Sequence, residues 1–313
     1  MGFQRNHGFK VGVETVYGDG GATPTFLPIF YEDARPTMDI QKFENPVYSG
    51  SLGRSKMWFG RKFYNMPFKF YLKGSGTAGT APEIGKLFRG AGLQETIVAV
   101  TSVTYSPRDT GFESINCDVN LDGTQYSIAG TRIESLKINL EAGNPPLCEG
   151  TLKGIFLAPT VVSFPVVSFA DAAVTPPVAE GMAITIGGGT FVLRKFSVEL
   201  KQILGVRDSI NAVAGSGGVK QIDIIGREWG GTFTVEVDTA NDVEFYTNLM
   251  AATEMAVAST GFGSTGNKIK ISTSTLQLED IKPAADQGMT TYDVTFRINK
   301  HATPASEFSL QFI

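Results

Sequence analysis

Apolar and polar residues alternate along most of this chain, and one stretch of the alternation recurs. In the first half, Gly60-Arg61 leads into a strand with Phe68, Phe70 and Leu72 on one face, and a helical stretch begins at Ala81. In the second half, Gly226-Arg227 leads into Phe233, Val235 and Val237, and a helical stretch begins at Thr239. The spacing is 166 at the Gly-Arg pair (60 to 226) and 165 at the strand (68 to 233). Self-similarity at a domain-sized period predicts two copies of one fold in one chain.

Other elements follow from the same pattern. Strands are expected near 37–43, 96–106, 112–121, 124–130, 132–141 and 149–157, and helices over 81–93 and 240–256. Phe196, Val198 and Leu200 face one way while Lys195, Ser197, Glu199 and Lys201 face the other. Late strands are expected near 219–225, 231–238, 267–279 and 289–298, with Phe308, Leu310 and Phe312 alternating at the end. Leu136 and Ile138 match Leu276 and Leu278, and Thr151 and Phe156 match Thr291 and Phe296, all at a spacing of 140. The fall from 166 to 140 predicts about 26 extra residues in the first copy, placed in the hairpin material of 95–130. The Pro-rich stretch 158–190 is the expected connection, dividing the chain into 1–160 and 161–313.

Composition sharpens the fold class. With 313 residues there is room for two cores, and 36 glycines against 15 prolines suit a mainly β protein with many turns. No apolar run reaches the ~18 residues of a membrane span, and Met1-Gly2-Phe3 opens no signal-peptide pattern. The net charge of −4 divides into +1 for residues 1–160 (16 Lys and Arg, 15 Asp and Glu) and −5 for 161–313 (11 and 16). Such a balance lacks the basic footprint of a duplex-binding protein. Cys117 and Cys148 stand 31 apart without metal or redox spacing, which predicts two reduced, buried thiols.

Candidate catalytic chemistry is sparse. The two histidines, His7 and His301, lie near opposite ends, and neither a nucleophile elbow nor a phosphate loop is present. Asp118-Val-Asn120-Leu-Asp122-Gly123 imitates the start of a calcium loop, but Ala129 stands where a bidentate Glu is needed. The same residues read as a strand ending in an Asp122-Gly123 hairpin turn. No enzyme, metal or cofactor is expected. The most loaded segment is the loop 44–58, where Tyr48, Leu52, Met57 and Trp58 alternate with Arg54 and Lys56. Trp, Tyr, Met and Arg are enriched at protein interfaces, so this loop is expected to dock on a neighbouring subunit. A single-strand nucleic-acid surface and a mobile loop without a partner are the alternatives for that composition.

The opening GVETVYGDGGATPTFLPIFYED, residues 12–33, resembles the N-terminus of major tail tube proteins of double-stranded DNA phages. Gly12, Glu14, Tyr17, Gly18, Thr23 and Pro24 carry the resemblance, and the Gly-rich turn, strand and helix of the second half extend it. The resemblance implies two tandem β-sandwich domains, each with one flanking helix. It further implies rings of three chains with pseudo-six-fold symmetry, stacked into a virion tail tube that assembles in the host cytoplasm. Its partners would be further copies of itself, the tail terminator, tape measure and distal tail proteins, and phage DNA passing without sequence-specific binding. The arm 1–35 with Tyr17 and Phe26, the loop 44–58, and the end strand with Phe308, Leu310 and Phe312 would bridge neighbours. A head–tail connector, a decoration protein and a β-sandwich binding module are the alternatives.

Overall fold

The computed structural model describes residues 6–18, 23–30, 34–45, 53–212, 217–236, 239–286 and 288–313. Among them the fold is mainly β, with two α-helices. In chain order the elements are β1 (His7–Val13), β2 (Thr25–Phe26), β3 (Thr37–Glu44), β4 (Met57–Tyr71), α1 (Gly85–Gly90), β5 (Leu93–Val98), β6 (Ser102–Pro107), β7 (Ile115–Leu121), β8 (Thr124–Glu141) and β9 (Leu147–Phe156). There follow β10 (Thr160–Val161), β11 (Ile184–Ile186), β12 (Gly189–Thr190), β13 (Leu193–Asp208), β14 (Val219–Glu236), α2 (Thr239–Met250), β15 (Glu254–Ser259), β16 (Ile269–Asp286), β17 (Met289–Ile298) and β18 (Ser309–Phe312).

All pairings are antiparallel, and one order of seven strands occurs twice. In the first half it runs β2–β1–β7–β8–β9–β4–β3. In the second half it runs β12–β11–β15–β16–β17–β14–β13. A register irregularity even falls at the same step, between Ile115 and Cys117 on β7 and between Met255 and Val257 on β15. Such bulges re-aim a strand and leave a recognisable mark in a ladder.

The registers correct the spacing expected for the later strands. Phe68 lies opposite Gly150, and Phe233 lies opposite Val294, so β9 maps on β17 at 144 rather than 140. Leu136 lies opposite Gly150 and Ile281 opposite Val294, which maps β8 on β16 at 145. For β9 the shift is four, and an alternating strand matches another equally well at any even shift. For β8 it is five: the irregularity between Leu278 and Asp280 reverses the alternation, so Leu276 and Leu278 before it and Ile281 after it are all buried, and side-chain type alone could not choose between them.

The extra material is narrower than 95–130. From the end of α1 to β7 is 25 positions (90 to 115), and from the end of α2 to β15 is 4 (250 to 254). The difference, 21, equals the fall in spacing from 165 to 144. The insertion is the β5–β6 hairpin, which turns through Val100 at φ 59° where a single strand was expected over 96–106. Its Tyr105 packs on Phe88 of α1 with ring centroids 5.0 Å apart. Among the described residues the second half has no counterpart.

Apolar faces from both halves meet in one continuous core that includes Phe9, Phe68, Phe88, Cys117, Leu136, Phe196, Phe233, Phe296 and Phe312. Both cysteines are free and fully buried, and burial pushes their thiols well above the ordinary range. Phe308, Leu310 and Phe312 also lie inside this core. β18 pairs with β6 on one side and β16 on the other, so the end strand ties the two halves of its own chain together.

Ion pairs hold the insertion in place. The Arg89 guanidinium makes two hydrogen bonds to Glu113, at 2.6 and 2.7 Å, and Arg108 approaches the same carboxylate at 3.2 Å. The Arg89 bonds chiefly hold the Glu113 carboxyl below its ordinary value of 4.5. A carboxyl with a depressed folded value contributes stability above its unfolded value and loses it as pH falls through the folded one. The melting temperature of the wild type should therefore drop more steeply below about pH 4.5 than that of Glu113→Gln. Equal slopes in a pH series would refute this role.

Candidate functional site: the joined sheet and its open edges

The two halves are joined strand to strand. Residues Ser135–Glu141 of β8 pair with Lys201–Lys195 of β13, which makes one sheet of β3–β4–β9–β8 continuous with β13–β14–β17–β16. On the core side of the joint, Leu136, Ile138 and Leu140 meet Leu200, Val198 and Phe196. The other side is polar throughout.

Four rows of side chains cross the joint on that polar side. The first contains Thr151, Ser135, Lys201 and Glu228. In the second, Lys69, Glu149, Lys137, Glu199, Gly230 and Arg297 stand directly opposite one another in turn. The third contains Asn139, Ser197, Thr232, Thr295 and Asp280, and the fourth Glu141, Lys195, Thr234, Asp293 and Lys282. The rows hold six cations (Lys69, Lys137, Lys195, Lys201, Lys282 and Arg297) and six carboxylates (Glu141, Glu149, Glu199, Glu228, Asp280 and Asp293), a net charge of zero. Lys195 pairs with Glu141 at 2.9 Å, Lys201 with Glu228 at 2.8 Å and Lys282 with Asp280 at 3.0 Å. An open depression of about 630 Å³ on this side is lined in part by Lys137, Glu199, Glu228 and Arg297.

Both ends of the joined sheet are open. Among the described residues β3 pairs only with β4, and Asp280–Asp286 of β16 pair only with β17. Unpaired strand edges present rows of backbone donors and acceptors to another chain. Met38 on the β3 edge is 44% exposed.

Glycines let the joined sheet close on its core. A Cβ on Gly231 would meet the Ser197 carbonyl oxygen and stand 2.7 Å from the Phe296 ring. Gly150 does the same for Phe68, whose ring lies 2.8 Å from where its Cβ would be. In each half an aromatic ring covers the gap left by a glycine on the neighbouring strand.

The segment 12–18 ties the two halves together beyond the end of the joint. Glu14 is buried and accepts hydrogen bonds from Gly18 N at 2.9 Å, Ser114 Oγ at 2.6 Å and Gly130 N at 2.9 Å. The Tyr17 hydroxyl donates to Gly130 O at 2.8 Å and accepts from Ile222 N at 2.7 Å, bridging β8 to β14. Burial pushes this phenol up to about 12, against the opposing effect of the Ile222 N–H. Buried Arg132 adds hydrogen bonds to the carbonyls of Ile222, Glu113 and Phe112, with its guanidinium over the Tyr17 ring at 5.7 Å.

The expected docking residues divide into three groups. Tyr48 and Leu52 lie outside the described residues. Arg54 and Lys56 are exposed, while Met57 and Trp58 open β4 opposite Glu44 and Phe43 rather than lying in a loop. Trp58 stacks on Phe43 with centroids 6.3 Å apart and stays half exposed, as do Met57 and Phe59. The third group is a correction. Tyr17, Phe308, Leu310 and Phe312 are engaged within their own chain, and Phe26 sits in β2 beneath Lys10, paired to β1. Rather than an arm, β1 is a core strand with Phe9 and Val11 buried against β7. Phe308, Leu310 and Phe312 are buried in their own core and offer a neighbour no surface, while Tyr17 and Phe26 are partly covered by contacts within their own chain.

The joint and the two open edges are not legible in the sequence. Their only sequence signal was the clean alternation of 195–201 and 135–141, which shows a two-faced strand but not its partner. Comparison with protein-family models returns no matching family, and comparison with curated proteins returns no matching relative.

Proposed function

We propose that the chain is a self-assembling structural protein of the tail-tube kind. Its two tandem β-sandwich domains, 1–160 and 161–313, would stand side by side in a ring of three chains around a lumen for DNA. The carrying observation is the β8–β13 joint between two halves with the same pairing order. β16 is the counterpart of β8, and β3 of β13, so the open edge at one end of the chain corresponds to the partner of the open edge at the other. Repeating the joint between chains is a head-to-tail contact, which closes into a ring when the rotation allows. Four strands per domain would make 24 in a ring of three, and closure would remove both free edges of the joined sheet.

The register of the inter-chain joint follows from the intra-chain one. Ser135–Glu141 map at 145 to Asp280–Asp286. In β3–β4 and β13–β14, Asn65 and Gly230 are opposite Thr37 and Glu199, so Thr37 maps to Glu199 at 162. Lys282 of one chain then faces Thr37 of the next, as Lys137 faces Glu199. Pro283 faces Pro36, so this pair lacks both backbone donors and the inter-chain joint is the weaker of the two. Prolines on open edges also discourage premature pairing. Exposed Met57, Trp58 and Phe59 at the far end of β4 would supply the contact between stacked rings.

Sedimentation and negative-stain imaging over a range of concentration test the proposal. Trimers that polymerise into hollow filaments are expected. A preparation that stays monomeric at every concentration and salt would overturn it, and single rings that never stack would favour a connector.

A further inference from the structure

Resting on the assembly reading above, the polar side of the joined sheet would line the lumen, and we infer that its alternating rows keep a polyanion from adhering. Excess negative charge is not the device here, because the four rows sum to zero. What matters is the order. In the longest row Glu149 stands between Lys69 and Lys137, and Glu199 on the far side of Lys137. Strands lie ~4.8 Å apart, so the row changes sign on that scale and its potential dies away within a few ångströms, well inside a Debye length of ~8 Å. A duplex one water layer away meets neither attraction nor repulsion. Non-specific DNA affinity comes from cations free to release counterions. Here Lys195, Lys201 and Lys282 are paired with carboxylates of the same rows, and Lys137 stands directly between Glu149 and Glu199. The face can therefore be near neutral, and need not repel its cargo to let it slide.

Glu149 and Glu199 are the two positions where the row can be switched. Replacing both with lysine would line up Lys69, Lys137 and Arg297 with two new cations over a span of about 24 Å. The experiment uses the full-length chain and a labelled DNA duplex at about 50 mM salt. The wild type should give no retention. Glu149→Lys with Glu199→Lys should bind, with a log–log salt slope near −4. Val243→Lys with Glu244→Lys and Met250→Lys makes the same change in net charge at exposed positions of α2, whose Phe245 packs against core-facing Phe233, and should bind at least tenfold more weakly. Retention by the wild type, or equal binding by the two lysine variants, would overturn the inference. Should the first pair fail to fold by circular dichroism, Glu149→Gln with Glu199→Gln replaces it, with a slope near −3 expected and a slope of zero overturning the inference. Sedimentation of the wild type in the same buffer reads the ring proposal separately. A charge switch without assembly would retain the face and reject the tube, and assembly without a charge switch would do the reverse.

Discussion

Oxidation of a Thr37→Cys, Lys282→Cys variant is expected to yield a covalent trimer of about three times 33.6 kDa on a non-reducing gel. Directly opposite residues of an antiparallel pair have Cβ atoms ~4.5–5.5 Å apart, close enough for a disulfide after small adjustment. Both positions are exposed, and the native Cys117 and Cys148 are fully buried, so neither should compete. Each chain carries one half of the bond on each open edge, so a ring of three closes completely. Either single variant can form at most a dimer. A ladder of open multimers would retain the edge pairing and reject the three-fold closure. Absence of cross-linking at concentrations where filaments form would reject the register itself.

Gly231→Ala should be among the most damaging single changes, with a loss of about 3 kcal/mol or more and a fall in melting temperature on the order of 10 °C. The sign is the informative part. In a position that tolerates a Cβ, Gly→Ala stabilises by ~0.4–1 kcal/mol through the unfolded chain. Here the Cβ would strike the Ser197 carbonyl of β13 and the Phe296 ring of β17, at the centre of the joined sheet. Thr232→Val, one residue away on the polar side, loses one hydroxyl contact with Ser197 at 3.0 Å and should cost under about 1.5 kcal/mol. Comparable melting temperatures for Gly231→Ala and the wild type would show that β13 and β17 can separate to admit a methyl group.

Legibility differed by kind of feature. The alternation of 195–201 was readable because burial of one face imposes a period of two, and the structure buries Phe196, Val198 and Leu200 as expected. Asp122-Gly123 was readable as a turn because a two-residue hairpin needs positive φ, which these residues adopt at 41° and 94°. Glu14 and Tyr17 stood out as part of a motif, but apart from the Gly18–Glu14 bond their work lies in hydrogen bonds to residues 100 or more positions away. Spacing carries no trace of such partners. Boundaries failed where strands run long: β8 and β14 each span what the sequence divides into two strands, because bulges interrupt the alternation without ending the pairing.

The sequence by itself determined the mainly β class, the inward and outward faces of the main strands, and the recurrence at 165 through β4 and β14. Those properties are local, set by side-chain type and a two-residue period. Only the tertiary structure decided the later registers, the β5–β6 insertion, the burial of the end strand and the joint between the halves. Each depends on which strand lies beside which, and a strand with a buried face is compatible with many neighbours until backbone pairing, bulges and glycine gaps select one. The zero sum of the polar rows belongs to the same class. The charges are written along the chain, but their cancellation exists only across it.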